Sequence, residues 1–152
     1  MAFPTIKQKV YAYITNGDRL LIFSHPDFPE AGIQVPGGAV RPGELPEDAV
    51  LREALEETGL TDLELVRFLG DQTLDMSDLG KNEIHFRRFY HVRCVKTPPE
   101  TWQHFETDHS DGSDAPIRFE FFWAEFPDRV PELIADHDRF VEKLGALSRS
   151  NQ

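Results

Sequence analysis

The chain opens with apolar and polar positions that alternate with period two. From Lys7 to Thr15, Val10, Ala12 and Ile14 fall on one side and Tyr11 and Tyr13 on the other, which predicts a strand. Asn16-Gly17-Asp18 is a hairpin turn signal. The run Leu20-Leu21-Ile22-Phe23 within Arg19 to His25 predicts a return strand buried on both faces. A Pro-rich loop from Pro26 to Ala31 and a short strand from Gly32 to Val35 follow. Residues 47 to 58 contain no Gly or Pro and are rich in Glu, Ala, Leu and Arg, which predicts a helix. Pro46 suits its first position and Gly59 its left-handed stop. Leu45 stands where a capping Ser or Thr is common.

Downstream, Leu63 to Gln72 and Ile84 to Val95 read as strands joined by a polar loop containing Gly80. In the second, His85, Arg87, Phe89, His91 and Arg93 alternate with Phe86, Arg88, Tyr90, Val92 and Cys94. Lys96 to Ala115 reads as one long loop, of the length that is usually functional or disordered. Pro116 to Phe126 predicts a strand. Leu133, Ile134, Phe140, Val141 and Leu144 recur at helical spacing within 131 to 144. Residues 1 to 6 and 145 to 152 read as a loose arm and a loose tail. This order predicts an α/β protein with a mixed sheet and helices on its faces, in one domain over residues 1–152.

Chemistry concentrates on the predicted central helix. Glu53, Glu56 and Glu57 stand at i, i+3 and i+4, which puts three carboxylates on one face. Leu51 and Leu55 fall opposite and are expected to anchor the helix in the core. Like charges this close repel and raise each other's proton affinity. A hard divalent cation with oxygen ligands removes that conflict. A solvated acidic face is the alternative, but these acids lack Lys partners one turn on. Arg52 is placed to offset some of the charge or to hold a carboxylate.

From Gly38 to Leu60 the spacing is G-x5-E-x7-R-E-U-x-E-E-x-G-U, with U apolar, filled here by Gly38, Glu44, Arg52, Glu53, Glu56, Glu57, Gly59 and Leu60. This resembles the signature box of the Nudix hydrolases, and every required position is filled. The resemblance implies the α/β/α sandwich of that family. It implies a metal-dependent hydrolase cleaving a diphosphate linkage, usually in a nucleoside diphosphate derivative, by water attack on phosphorus. It implies Mg²⁺, with Mn²⁺ as a substitute, held by the Gly38 carbonyl and by Glu53, Glu56 and Glu57. Glu44 resembles the acid that orients the helix arginine. Family members differ in the general base, for which Glu106 and Glu120 are candidates, Glu120 being preferred. Arg87 and Arg88 are candidates for phosphate contact, and Trp102, Phe105 and Phe89 for stacking on a base, with Arg87 and Trp102 foremost. The alternative to an enzyme is a nucleotide-binding or regulatory module that keeps the fold without the chemistry.

Composition narrows the partners. The net charge of −11 argues against non-specific binding to nucleic acid or an anionic membrane. Bound cations would reverse that field locally for a phosphate substrate. Cys94 is the single cysteine, so no internal disulfide forms and a reducing, cytoplasmic setting is expected. No apolar run approaches a membrane span and no leader is visible. A homodimer is compatible with the sequence, and nothing in it requires one.

Overall fold

The computed structural model describes residues 2–106 and 116–150. Strand β1 (Thr5–Asn16) runs through the middle of the sheet. It pairs in parallel with β5 (Glu83–Cys94), in register from Thr5↔Glu83 to Thr15↔Arg93. On its other edge, Lys9 to Tyr11 pair with β3 (Gly37–Ala39), and Thr15 and Asn16 lead through the predicted turn into antiparallel β2 (Arg19–Ser24). Strands β4 (Leu63–Asp75), β6 (Thr101–Glu106) and β7 (Ile117–Glu125) complete a mixed sheet of order β4-β5-β1-β2-β7-β6.

Side-chain alternation along β1 divides the core in two. Val10, Ala12 and Ile14 join Leu21, Phe23, Tyr90, Val92, Cys94, Phe119 and Phe121 on one face. Helix α1 (Pro46–Thr58) covers this face with Ala49, Val50 and Ala54, all fully buried. Tyr11 and Tyr13 join Leu20, Ile22, Leu69 and Phe89 on the other face, covered by helix α2 (Val141–Ser150) through Val141 and Leu144. The expected α/β/α sandwich is therefore present.

Several boundaries differ from the sequence reading. Strand β1 begins at Thr5, not Lys7, because the Thr5 amide donates to the Asn82 carbonyl and Glu83 pairs alongside. Gln34 makes only an isolated bridge to Phe23, and the short strand lies at Gly37–Ala39. Strand β4 continues to Asp75, taking up residues expected in a loop. Thr101–Glu106, also expected in a loop, is an edge strand on β7, while 107–115 of that loop lie outside the described residues. Leu55 is 46% exposed and does not anchor α1. The buried side of the helix is set by small residues that let it approach the sheet closely. The C-terminal helix starts at Val141 and continues through Gly145 to Ser150. Residues 134–140 are held out of it by polar contacts: the Tyr13 hydroxyl donates to the His137 carbonyl and accepts from the Phe140 amide, and Arg87 donates to the Ala135 carbonyl. Ala135 and Asp136 adopt left-handed backbone there, with φ of 50° and 60°.

If α2 is integral to the core, Leu144→Ala should lower the free energy of unfolding by about 2–5 kcal/mol, the range for a buried leucine. Urea denaturation measures this. A change below about 0.5 kcal/mol, the scale of surface substitutions, would show that α2 is not packed as described.

Candidate functional site

Helix α1 enters without a side-chain cap at Leu45, with Pro46 in its first turn. It ends at Gly59, whose φ of 77° is the left-handed stop. Its last turn is pinned from β6: the Trp102 indole donates to the Thr58 carbonyl at 2.9 Å, and a His104 nitrogen lies 2.9 Å from the Glu56 carbonyl. These contacts and the buried Ala49, Val50 and Ala54 leave the acidic turn facing a cleft of about 470 Å³.

Glu53, Glu56, Glu57, Arg52, Gly37 and Gly38 all line this cleft. Arg52 is the hub. It donates to both oxygens of Glu44, at 2.8 and 2.9 Å, and to the Ala39 carbonyl at 3.0 Å. Its Nη1 donates to Glu53 at 2.8 Å and to Glu56 at 3.2 Å, drawing two carboxylates toward one positive group. Arg41 lies 3.7 Å from Glu56. Hydrogen bonds from Arg52, then from the Arg41 amide, hold the Glu44 carboxyl down to about 2, so it stays ionised. Burial raises the proton affinity of Glu53, although Arg52 opposes this. Glu57, only 5% exposed, accepts from the Gly37 amide at 3.2 Å.

A Cβ at position 38 would overlap the Glu53 carboxylate, so only glycine lets the β3 backbone come this close to α1. Among the described residues no three acid, imidazole or thiolate groups form a cage that could hold an ion by themselves. Mg²⁺ does not need one, since it is usually held by one or two carboxylates, water and substrate phosphates. An all-oxygen donor set beside a close backbone approach fits that ion.

Other candidates lie elsewhere. Glu120 is exposed, and adjacent strand residues face opposite ways, so it points away from Ile117 and Phe119, which line the cleft from β7. It does not line the cleft, and its expected role as general base is corrected accordingly. The Glu106 side chain lies outside the described residues. Arg87 is 2% exposed, with its guanidinium over the Tyr11 ring at 5.1 Å, and is not part of the cleft wall. Arg88 donates to Gln8. Trp102 stacks on Phe121 with centroids 5.1 Å apart and supports α1 instead of facing the cleft. Phe89 is in the core, and Phe105 is exposed on the edge strand.

Residues that the sequence did not single out complete the cleft: Lys9, Tyr11, Phe23, His25, Gln34, Phe119 and His137. His137 is carried there by the polar contacts of residues 134–140. Its Nδ1 accepts from the Val35 amide at 3.2 Å, which leaves the neutral ring's proton on Nε2. Burial, with Arg87 adding to it, pushes His137 down to about 3.

The family profile described as NUDIX domain matches residues 5–143. YtkD of Bacillus subtilis (strain 168), provisionally named an 8-oxo-dGTP diphosphatase, is 30% identical over 105 residues. That match covers 69% of this chain but only 61% of the length of YtkD. The crystal structure of a MutT NUDIX hydrolase from Burkholderia pseudomallei superposes with a TM-score of 0.63 at 24% identity, covering 91% of this chain and 97% of that one. A bifunctional NMN adenylyltransferase/ADP ribose pyrophosphatase from Francisella tularensis, complexed with AMP and a Mn ion, gives 0.58 at 17% identity over 97% and 43%.

The buried neutral His137 makes stability depend on pH. The unfolded imidazole titrates near 6.5 and the native one near 3, so the unfolded chain binds more protons in that window and stability falls as pH drops through it. Between pH 6.5 and 5 the loss from this residue should be about 2 kcal/mol, at about 1.4 kcal/mol per pH unit. Urea denaturation across this range should show a flatter profile for His137→Asn. Identical slopes for the variant and the parent would remove His137 from the account.

Proposed function

The chain belongs to the Nudix family, and from that premise we propose that it is a divalent-metal-dependent hydrolase cleaving the diphosphate linkage of a nucleoside diphosphate derivative. The observation that carries this reading is the convergence of Glu53, Glu56, Glu57 and Gly38 on one cleft, with Arg52 bridging three of the acids of the box. Mg²⁺, with Mn²⁺ in its place, suits the oxygen donors. When bound it would screen the phosphate charge and acidify the attacking water. Gly38 through its carbonyl, and Glu53, Glu56 and Glu57 through their carboxylates, would hold it.

Arg52 holds Glu44 ionised and orients Glu53 and Glu56, a positioning role that its bidentate grip on Glu44 supports. Glu53 lies against Gly38 and lines the cleft, so its carboxylate is placed to take the proton from water. The nucleoside part would rest at the other end of the cleft, against Phe23, Phe119 and Ile117. The provisional name of YtkD makes 8-oxo-dGTP one compound to test, and no substrate is preferred on that ground alone. Among the described residues no helix is long and apolar enough to cross a membrane. A cytoplasmic site of action is part of this proposal.

Nucleoside triphosphates including 8-oxo-dGTP, dinucleoside polyphosphates and nucleotide sugars, assayed with Mg²⁺ and Mn²⁺, should reveal turnover that EDTA abolishes. Glu57→Gln keeps an acceptor for the Gly37 amide but loses the charge. It should reduce kcat by about 100-fold or more, the scale of removing one electrostatic contributor, with little loss of stability. Absence of turnover across the set would refute the enzyme reading. A near-normal rate for Glu57→Gln would refute the role given to that residue.

A further inference from the structure

The residues leading into the box lay out the cleft in order. Gln34 and Val35 stand beside the aromatic end, where His25 packs against Phe23 and Phe119 with centroids at 5.6 and 4.9 Å. Gly37 and Gly38 come next, beside Glu57 and Glu53. Ala39 follows, paired across the sheet with Lys9 of β1. From Gln34 to Ala39 the chain spans at most ~18 Å, at 3.3–3.6 Å per residue. That is a length on which a flat ring, a scissile phosphate and a further phosphate can lie in sequence.

Lys9 is unusual among the cations of this wall. Arg52 is tied to Glu44, Glu53 and Glu56, and Arg41 approaches Glu56. Lys9 is half-buried, and among the described residues it has neither an ion-paired carboxylate nor a hydrogen-bond acceptor. Its neighbour Lys7 is paired with Glu83 at 3.2 Å. Burial and the charge of Lys7 bear on Lys9 more heavily than the attraction of Glu83 and Glu53. A lysine that lays its stem along the cleft wall and leaves its ammonium without a protein acceptor has that charge free for an anionic ligand. Glu83 and Glu53 attract Lys9, but among the described residues neither forms an ion pair with it; Glu83 is paired with Lys7 and Glu53 with Arg52.

We propose that Lys9 is a substrate-binding residue that takes the phosphoryl group farthest from the nucleoside, so that the site selects triphosphates over substrates carrying only a diphosphate. This rests on the reading of the cleft as a diphosphate-hydrolase site. The Val10↔Gly38 and Lys9↔Ala39 pairs set the Lys9 stem one position from the proposed metal-binding glycine. A point charge on a flexible stem suits a terminal phosphoryl group, which presents charge without a fixed planar geometry. If Lys9 served only to balance the acidic turn, its removal would tighten Mn²⁺ binding and leave phosphate recognition alone.

The test uses the whole protein with Mn²⁺ and two probes that need no turnover, inorganic tripolyphosphate and pyrophosphate, followed by thermal shift. The parent should bind tripolyphosphate at least about tenfold more tightly than pyrophosphate. Lys9→Met, which keeps the stem, should erase that difference, and Lys9→Arg should keep most of it. Kinetics with a nucleoside triphosphate should show KM raised about tenfold in Lys9→Met with kcat within about twofold. If Lys9→Met retains the full preference, or changes only Mn²⁺ affinity, the proposal is overturned. Absence of turnover in the parent with the tripolyphosphate preference intact would sink the enzyme reading and leave Lys9 as a phosphate-binding residue. If Lys9→Met does not fold, Lys9→Gln is scored by the same criteria.

Discussion

One guanidinium holds the site in its shape. Three carboxylates crowd the cleft-facing side of α1 while Glu44 presses in from the preceding loop. Arg52 meets Glu44 through both its oxygens and reaches Glu53 and Glu56 through the third nitrogen. Charge-assisted, bidentate bonds of this kind fix geometry as well as energy. Without them the acids would repel one another. With them, carboxylate oxygens are directed at a cleft in which a polyanionic ligand needs cations.

That arrangement works only because the fold brings a backbone strand against the helix. The helix rests on the sheet through alanines and a valine, so its axis sits close, and β3 passes Glu53 at a position where no side chain could fit. β1 underlies all of this. It pairs with β3 on one edge and with β5 on the other, sends Val10 and Ala12 toward α1, and presents Lys9 and Tyr11 to the cleft. Its Tyr13 holds the segment that delivers His137 under the Val35 amide. The wall of the cleft and the two halves of the core are thus parts of a single strand's alternation.

Local features were legible from sequence and long-range ones were not. The box spacing gave the helix, its Pro46 start, its Gly59 stop and the common face of Glu53, Glu56 and Glu57, because all of these depend on neighbours within one or two turns. Leu51 packs against the core as expected, but Leu55 misled: the strong apolar residues of a short helix usually face inward, whereas here Ala49, Val50 and Ala54 take the fully buried positions. Thr101–Glu106 reads as loop because an edge strand on β7 can carry polar Gln103 and His104 with little cost. Lys9 and His137 gave no signal, since the contacts that place them join segments far apart in the chain. His137 bonds to Val35 across a separation of 102 residues. Glu120 looked suitable because it lies in a strand that the family places near the metals, but a shift of one residue decides which face a side chain occupies.

The function of the site depends on whether cations bind among these acids. Calorimetric titration of Mn²⁺ into protein stripped with EDTA, near neutral pH and without nucleotide, addresses this directly. The account predicts saturable binding that weakens as the pH is lowered toward the range where Glu53 takes up a proton, accompanied by a concentration-dependent rise in Tm. No heat of binding and a Tm indifferent to Mn²⁺ at millimolar concentration would contradict it.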